Sequence, residues 1–153
     1  MTLFPETRRW LAFEAECEIP TTTHQRKRII TIRPRGKPPI QSLGNTPELD
    51  DALAQWKKIL QPHVPQAPLV GPLRLSASFM WQWREGEKGE NRHAEGIWRD
   101  TKPDLSNLLK TMEDVMEELG FFVNDARIAA FGEVVKKWGP RGYLTVLLEE
   151  LAG

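Results

Sequence analysis

The apolar positions of the chain follow two different periods. Residues 12–18 (AFEAECE) alternate, with Ala15 and Cys17 facing one way and Glu14, Glu16 and Glu18 the other. A period of two predicts a half-exposed strand, closed here by Pro20 and the run Thr21, Thr22, Thr23. In RKRIITIRPRGK the core IITI has high strand propensity, and Pro34 and Gly36 end it. Thr46 and Pro47 then read as N-cap and first helical residue. Leu49, Ala52, Leu53, Trp56, Ile59 and Leu60 follow at helical spacing until Pro62. Residues 63–71 form a Pro-rich connector. PLRLSASFMWQW returns to alternation, with Leu73, Leu75, Ala77, Phe79 and Trp81 on one face. Residues 84–102 hold ten charges, five of each sign, and read as a mobile loop. A further helix is predicted from about Lys102 to Leu119, ending at Gly120. ARIAAFGEVVKKW and YLTVLLEEL read as two strands joined by a Gly-Pro-Arg-Gly turn, a hairpin. The order β-β-α-β-α-β-β, without repeats, predicts an α+β domain. Its sheet is small, mixed and largely antiparallel, with two main helices packed on it.

Length and composition fit one soluble globular domain spanning 1–153: 153 residues, 40% apolar and 27% charged. Twenty-one basic and twenty-one acidic residues cancel, so no global basic excess points to nucleic acid. The single cysteine, Cys17, and three scattered histidines exclude an intrachain disulfide and a Cys/His zinc site. The N-terminus has no apolar signal region and no run approaches a membrane span, so a cytoplasmic location is expected.

Charge is segregated locally. Arg26, Lys27, Arg28, Arg33, Arg35 and Lys37 form a basic ribbon without an acid among them. Between residues 104 and 125 lie Asp104, Glu113, Asp114, Glu117, Glu118 and Asp125 against Lys110 alone. Singly, each is a solvated strand edge or helix face. Together they suit an enzyme that grips phosphates and coordinates a hard cation. On the wheel of the 102–119 helix, Leu105, Leu108, Leu109, Met112, Val115, Met116 and Leu119 make the core stripe. Asn107, Lys110, Thr111, Asp114 and Glu118 lie opposite. Asp104, in the first turn, is stabilised as an anion by the helix N-terminus. Thr101, three residues earlier, makes a capping box an equally open reading for that aspartate.

The stretch TKPDLSNLLKTMEDVMEELGFFVNDARI resembles the signature of the RusA-type Holliday junction resolvases. That family carries Lys-Pro-Asp-x-Asp-Asn-x-x-Lys opening a helix, then Gly-aromatic-x-x-Asp-Asp further on. Here the first element is Lys102, Pro103, Asp104, Leu105, Ser106, Asn107 and Lys110. The second is Gly120, Phe121, Asn124, Asp125, Ala126, Arg127 and Ile128. PTTTHQRKR at 20–28 is similar to the segment after the first strand in phage members. The resemblance implies a RusA-like fold and Mg²⁺-dependent hydrolysis, Mn²⁺ substituting, at four-way and branched DNA junctions by a homodimer in recombination and repair. It carries Asp104 and Asp125 over as catalytic carboxylates and metal ligands, and Lys110 as a phosphate or transition-state contact. Ser106, Asn107 and Asp114 are candidates to complete the metal site. The basic ribbon and Lys102 are candidates to hold DNA.

Two departures bear on that site. Ser106 stands where the family has its second aspartate, and Asn124 where another aspartate is common. Fewer negative charges predict weaker Mg²⁺ binding, and leave open a branched-DNA-binding protein with impaired catalysis. Spacing alone does not place Asp125. The helix from 104 to 119 rises about 22 Å, and six extended residues span at most about 20 Å. Asp125 therefore reaches Asp104 only by a nearly straight return, and sits equally well near Asp114. Trp81, Trp83, Trp98 and Trp138 are expected in the core rather than stacked on bases, and His24 in a solvated loop.

Overall fold

The computed structural model describes residues 7–24 and 27–152. Its main sheet has five strands: β1 (Thr7–Glu16), β4 (Leu73–Gln82), β5 (Ile97–Trp98), β6 (Ile128–Gly139) and β7 (Tyr143–Leu151). A separate hairpin pairs β2 (Lys27–Ile32) with β3 (Ile40–Asn45). Two helices, α1 (Pro47–Leu60) and α2 (Leu105–Leu119), complete the α+β fold.

The sheet order is β1-β7-β4-β6-β5, mixed because β4 and β6 run parallel while the other pairs are antiparallel. This corrects the expected hairpin at the end of the chain. β6 and β7 flank β4 and do not pair with each other. Crossing over one strand needs roughly two inter-strand spacings, near 10 Å. The turn 140–142 covers that across the end of β4, where Trp83 N donates to Gly139 O at 2.9 Å.

β4 is the centre of the core because its alternation is complete. Leu73, Leu75, Ala77, Phe79 and Trp81 are buried on the face that carries the helices. Leu144, Val146 and Leu148 of β7 and Phe13 of β1 extend that layer. From the helices, Trp56, Ile59 and Leu60 of α1 and Leu108, Met112, Val115 and Met116 of α2 fill it. At about 1.5–3 kcal/mol per buried large apolar side chain, this cluster fixes α2 against the sheet. α1 starts as expected, with Thr46 Oγ1 accepting from Leu49 N at 3.2 Å and Pro47 in the first turn.

Other boundaries differ from expectation. The first strand begins at Thr7 and ends before Cys17, whose N–H goes to Gly142 O. β3 has no sequence signal: IQSLGN lacks a clean period, and the Ile30 side chain packs over the bare backbone of Gly44. The charged segment 84–102 holds the short edge strand β5, so it is not all loop. Trp56 and Trp81 are buried, as expected, but Trp98 on β5 is 68% exposed, against expectation. On the β2–β3 hairpin Ile29 and Leu43, directly opposed, are exposed. No helix among the described residues is long and apolar enough to cross a membrane.

Candidate active site

α2 begins at Leu105, three residues later than the pattern predicts. The reason is Pro103, which pushes Lys102 out of the helical region. Asp104 thereby becomes the N-cap residue, with extended backbone angles, and its side chain makes no cap bond. The capping box with Thr101 is therefore not formed, because Thr101 lies three residues outside the helix. Only the Asp104 carbonyl is engaged, accepting from Leu108 N at 3.0 Å. The carboxylate, half exposed, instead takes a bond from Lys102 Nζ at 2.9 Å and one from Asn107 Nδ2 at 3.3 Å. It lines an open cleft of about 530 Å³ with Thr21, Thr22, Thr23, Arg99 and Asn107.

Two turns further along α2, Lys110 ties the helix to the segment that follows it. Its ammonium pairs with Asp114 at 2.9 Å and also with Asp125. Asp114 in turn lies 3.1 Å from Nδ1 of His24. His24 is half-buried against α2 rather than solvated, with its N–H donating to Thr111 Oγ1 at 3.3 Å. Thr111 donates its own hydroxyl proton to Asn107 O at 2.8 Å. Thr111 is fully buried although it lies opposite the core stripe. Segment 19–24 covers that side, so α2 is buried on two sides and not one.

Asp125 is delivered by the end of α2. Gly120 adopts φ +95°, a left-handed cap that a side chain would strain. Phe121 N donates to Met116 O and Gly120 N to Glu117 O, the pair of bonds that reverses a chain after a helix. Phe121 and Phe122 are buried, pulling the chain back along the core. Asn124 Oδ1 then accepts from Ala126 N at 2.8 Å, and Asp125 N donates to Glu117 Oε1 at 2.8 Å. Asn124, a departure from the family pattern, thus caps the short turn at 125–127. The return stops at the Lys110–Asp114 turn. Six residues along a helix, Lys110 lies roughly 9 Å of axial rise beyond Asp104.

The electrostatics follow from this packing. Hydrogen bonds to Asp125 and Asp114 hold the Lys110 ammonium charged well above the ordinary lysine range. Glu113 is 8% exposed, and burial pushes its carboxyl up to about 7, with Lys110 opposing and Asp125 and Asp114 adding to the rise. A carboxyl raised on folding leaves stability untouched below its unfolded pKa. As pH climbs from about 4.5 to about 7 it costs progressively more stability, up to about 2–3 kcal/mol. Glu113→Gln should therefore raise the melting temperature at pH 8 and leave it nearly unchanged at pH 4.5, read by thermal denaturation at both values.

The expected site residues divide into two neighbouring groups on α2. Lys102, Asp104 and Asn107 gather at its start, and Lys110, Asp114 and Asp125 at its middle. Ser106 is exposed in the first turn. Arg28, Arg33, Arg35 and Lys37 are exposed on the β2–β3 hairpin, while Arg26 and the Lys27 side chain lie outside the described residues. The sequence reading passed over Arg99 and Lys136, and named His24, Glu113 and Glu117 without a place in the site. Of these only Glu117 carries a local signal, as an acid one turn before the helix-ending glycine.

Among the described residues no three His, Cys, Asp or Glu side chains converge as a ready metal cluster. The donor set still suits a small hard cation. Asp104 is not consumed by capping, and the Asn107 amide and threonine hydroxyls beside it are all oxygen donors, which Mg²⁺ takes together with retained waters.

Over 57 residues the chain is 30% identical to the crossover junction endodeoxyribonuclease rusA of Lactococcus phage r1t. That stretch is 37% of this chain and spans only 39% of the phage protein. Residues 20–149 match the family described as Endodeoxyribonuclease RusA. The matched span runs from the threonine segment over α2 through both halves of its carboxylate face and on into β7. By that match the chain belongs to the RusA endodeoxyribonuclease family.

Proposed function

We propose that this chain is a divalent-metal-dependent endonuclease that resolves four-way DNA junctions by paired phosphodiester hydrolysis, in recombination and repair. The observation that carries the reading is the pair of neighbouring groups along α2: Asp104 with Asn107 in an open, hydroxyl-lined cleft, and Lys110 with Asp114 and the returning Asp125 further along the helix. Asp104 and Asp125 would hold Mg²⁺ or Mn²⁺ once Asp125 turns from Lys110 toward Asp104, with Ser106, Asn107 or Asp114 filling in. The bound ion would lower the pKa of a coordinated water and offset charge on the scissile phosphate. Lys110 has a complementary part. Asp114 retains its ammonium if Asp125 turns to the ion, leaving a fixed positive charge for a phosphate oxygen. A two-fold homodimer suits a substrate that must be cut in two symmetric strands. A cytoplasmic setting, where the DNA is, goes with that role.

A synthetic four-way junction tests the reading. Paired nicks are expected in Mg²⁺ or Mn²⁺, with little cutting in Ca²⁺. A monomer at micromolar concentration that leaves the junction intact in Mn²⁺ overturns it. The exposed ribbon supplies sequence-independent grip. Replacing Arg28, Arg33 and Arg35 by alanine should flatten the log–log salt dependence of junction binding by roughly 0.9 for each phosphate no longer neutralised, as measured by gel shift.

Ser106 favours a second reading, a branched-DNA-binding protein whose catalysis is impaired. It stands in place of a family aspartate two residues from the Asp104 carboxylate. Ser106→Asp should raise the cleavage rate or lower the Mg²⁺ needed for half-maximal cutting. If neither moves, another group already supplies that ligand.

A further inference from the structure

The turn that leads into Asp104 presents three successive backbone carbonyls, of Thr101, Lys102 and Pro103, to two cations on neighbouring strands. Lys136 of β6 donates from Nζ to Thr101 O at 2.6 Å and to Pro103 O at 2.7 Å. Arg99, just after β5, donates from Nη2 to Lys102 O. The two residues are themselves tied together, Arg99 N donating to Lys136 O at 3.1 Å. The guanidinium lies over two neighbouring indoles, 4.2 Å from the ring centres of both Trp81 and Trp138. Two such cation–ring contacts hold a planar cation without a counter-carboxylate.

These carbonyls lie outside any helix or strand, so they have no ladder partner and need donors from elsewhere. The Asp104 carboxylate takes its bonds from Lys102 and Asn107, and both Lys102 and Asp104 ride on the backbone of this turn, so the turn's shape carries through to the carboxylate. We propose that Lys136 and Arg99 are positioning residues for Asp104: by gripping the three carbonyls they fix the turn, and with it the carboxylate's place in the cleft that Arg99 also lines. They also set two positive charges near that carboxylate. Burial lowers the pKa of both groups, and for Lys136 the nearby Arg99 charge lowers it further, while Asp104 and Asp100 oppose.

The role in cleavage rests on the nuclease reading, but the grip itself is testable without it. Hydrogen exchange of residues 101–108 reads the turn directly, since Leu108 N–H is bonded to Asp104 O. In Lys136→Met, which loses the charge-assisted bonds to both Thr101 O and Pro103 O, the Leu108 amide should exchange about tenfold faster or more. Amides of β4 and β7 should stay as in the unmodified protein. Lys136→Arg should restore most of the protection. Lys137→Met, on the next residue of β6, should change nothing in the turn. Arg99→Lys keeps the charge but loses the planar stack, and should loosen the same peptide by a smaller factor. In cleavage assays Lys136→Met should lower kcat and raise the Mg²⁺ needed for half-maximal cutting, with junction affinity unchanged. Unaltered exchange at 101–108 in Lys136→Met overturns the proposal. So does a loss of junction affinity without faster exchange, which would make Lys136 a phosphate contact. If the unmodified protein cuts nothing, the nuclease reading fails while the exchange arm still decides the grip.

Discussion

Asp104→Asn should cut four-way junctions about a thousandfold more slowly, or not at all, while binding them as tightly as before or more so. The rate loss is that of removing one anionic ligand from a metal site that supplies several kcal/mol of transition-state stabilisation. The binding gain follows from charge alone, since a carboxylate facing the cleft repels the phosphates that must enter it. Asparagine is nearly isosteric and is itself a good N-cap residue, so the start of α2 should survive the change. Single-turnover cleavage in Mn²⁺ beside a gel shift in Ca²⁺ separates the two effects. Normal cutting by this variant would remove Asp104 from the chemistry and leave it a role only in starting the helix.

Lys110→Met should cost about a hundredfold or more in cleavage rate, the scale of losing one preorganised charge at a reacting oxyanion. Its ammonium is the link between Asp114 and Asp125, so methionine also leaves two carboxylates facing each other with Glu113 behind them. The pH dependence separates these contributions. A lysine whose pKa is raised on folding contributes stability that is fully present below its unfolded value and lost only as pH climbs through the folded one. Lys110 is raised from 10.5, so it stays charged across the range from about pH 6 to pH 9 and gives wild-type cutting no alkaline limb there. Lys110→Arg should retain part of the activity, because charge matters more than shape at this position. Equal rates for Lys110→Met and the unmodified protein would confine Lys110 to holding Asp125 in place.

Much of the scaffold is readable from local pattern. β4 alternates so completely that its five buried residues follow from the sequence, and α1 announces itself by Thr46 and Pro47. The sheet order is not readable, because the turn after β6 has the composition of a hairpin and nothing local says that β4 lies between its two arms. β3 and β5 escape for a related reason: six weakly patterned residues, and two residues inside a charged segment, are strands only by virtue of their partners. For the site, the motif names Asp104, Lys110 and Asp125 but not their geometry. Spacing leaves Asp125 free to sit near Asp104 or Asp114, and it meets α2 at the Lys110–Asp114 turn. His24 reaches α2 across 87 residues of chain and Lys136 reaches the turn before it across 33, distances over which no sequence period operates.

The place of β7 has a consequence for how the molecule comes into being. β1 is joined to the rest of the sheet only through β7, the last strand in chain order. On a ribosome adding about 5–20 residues per second, β1, β4 and α2 all emerge before the strand that unites them. Until residues 143–151 arrive, β1 and one edge of β4 remain open to pairing with other chains. α2, with its row of carboxylates, would meanwhile rest on half a sheet. Closure of β7 between two waiting edges is thus a late, long-range step, which slows folding and concentrates its hazard in the interval before synthesis reaches that strand.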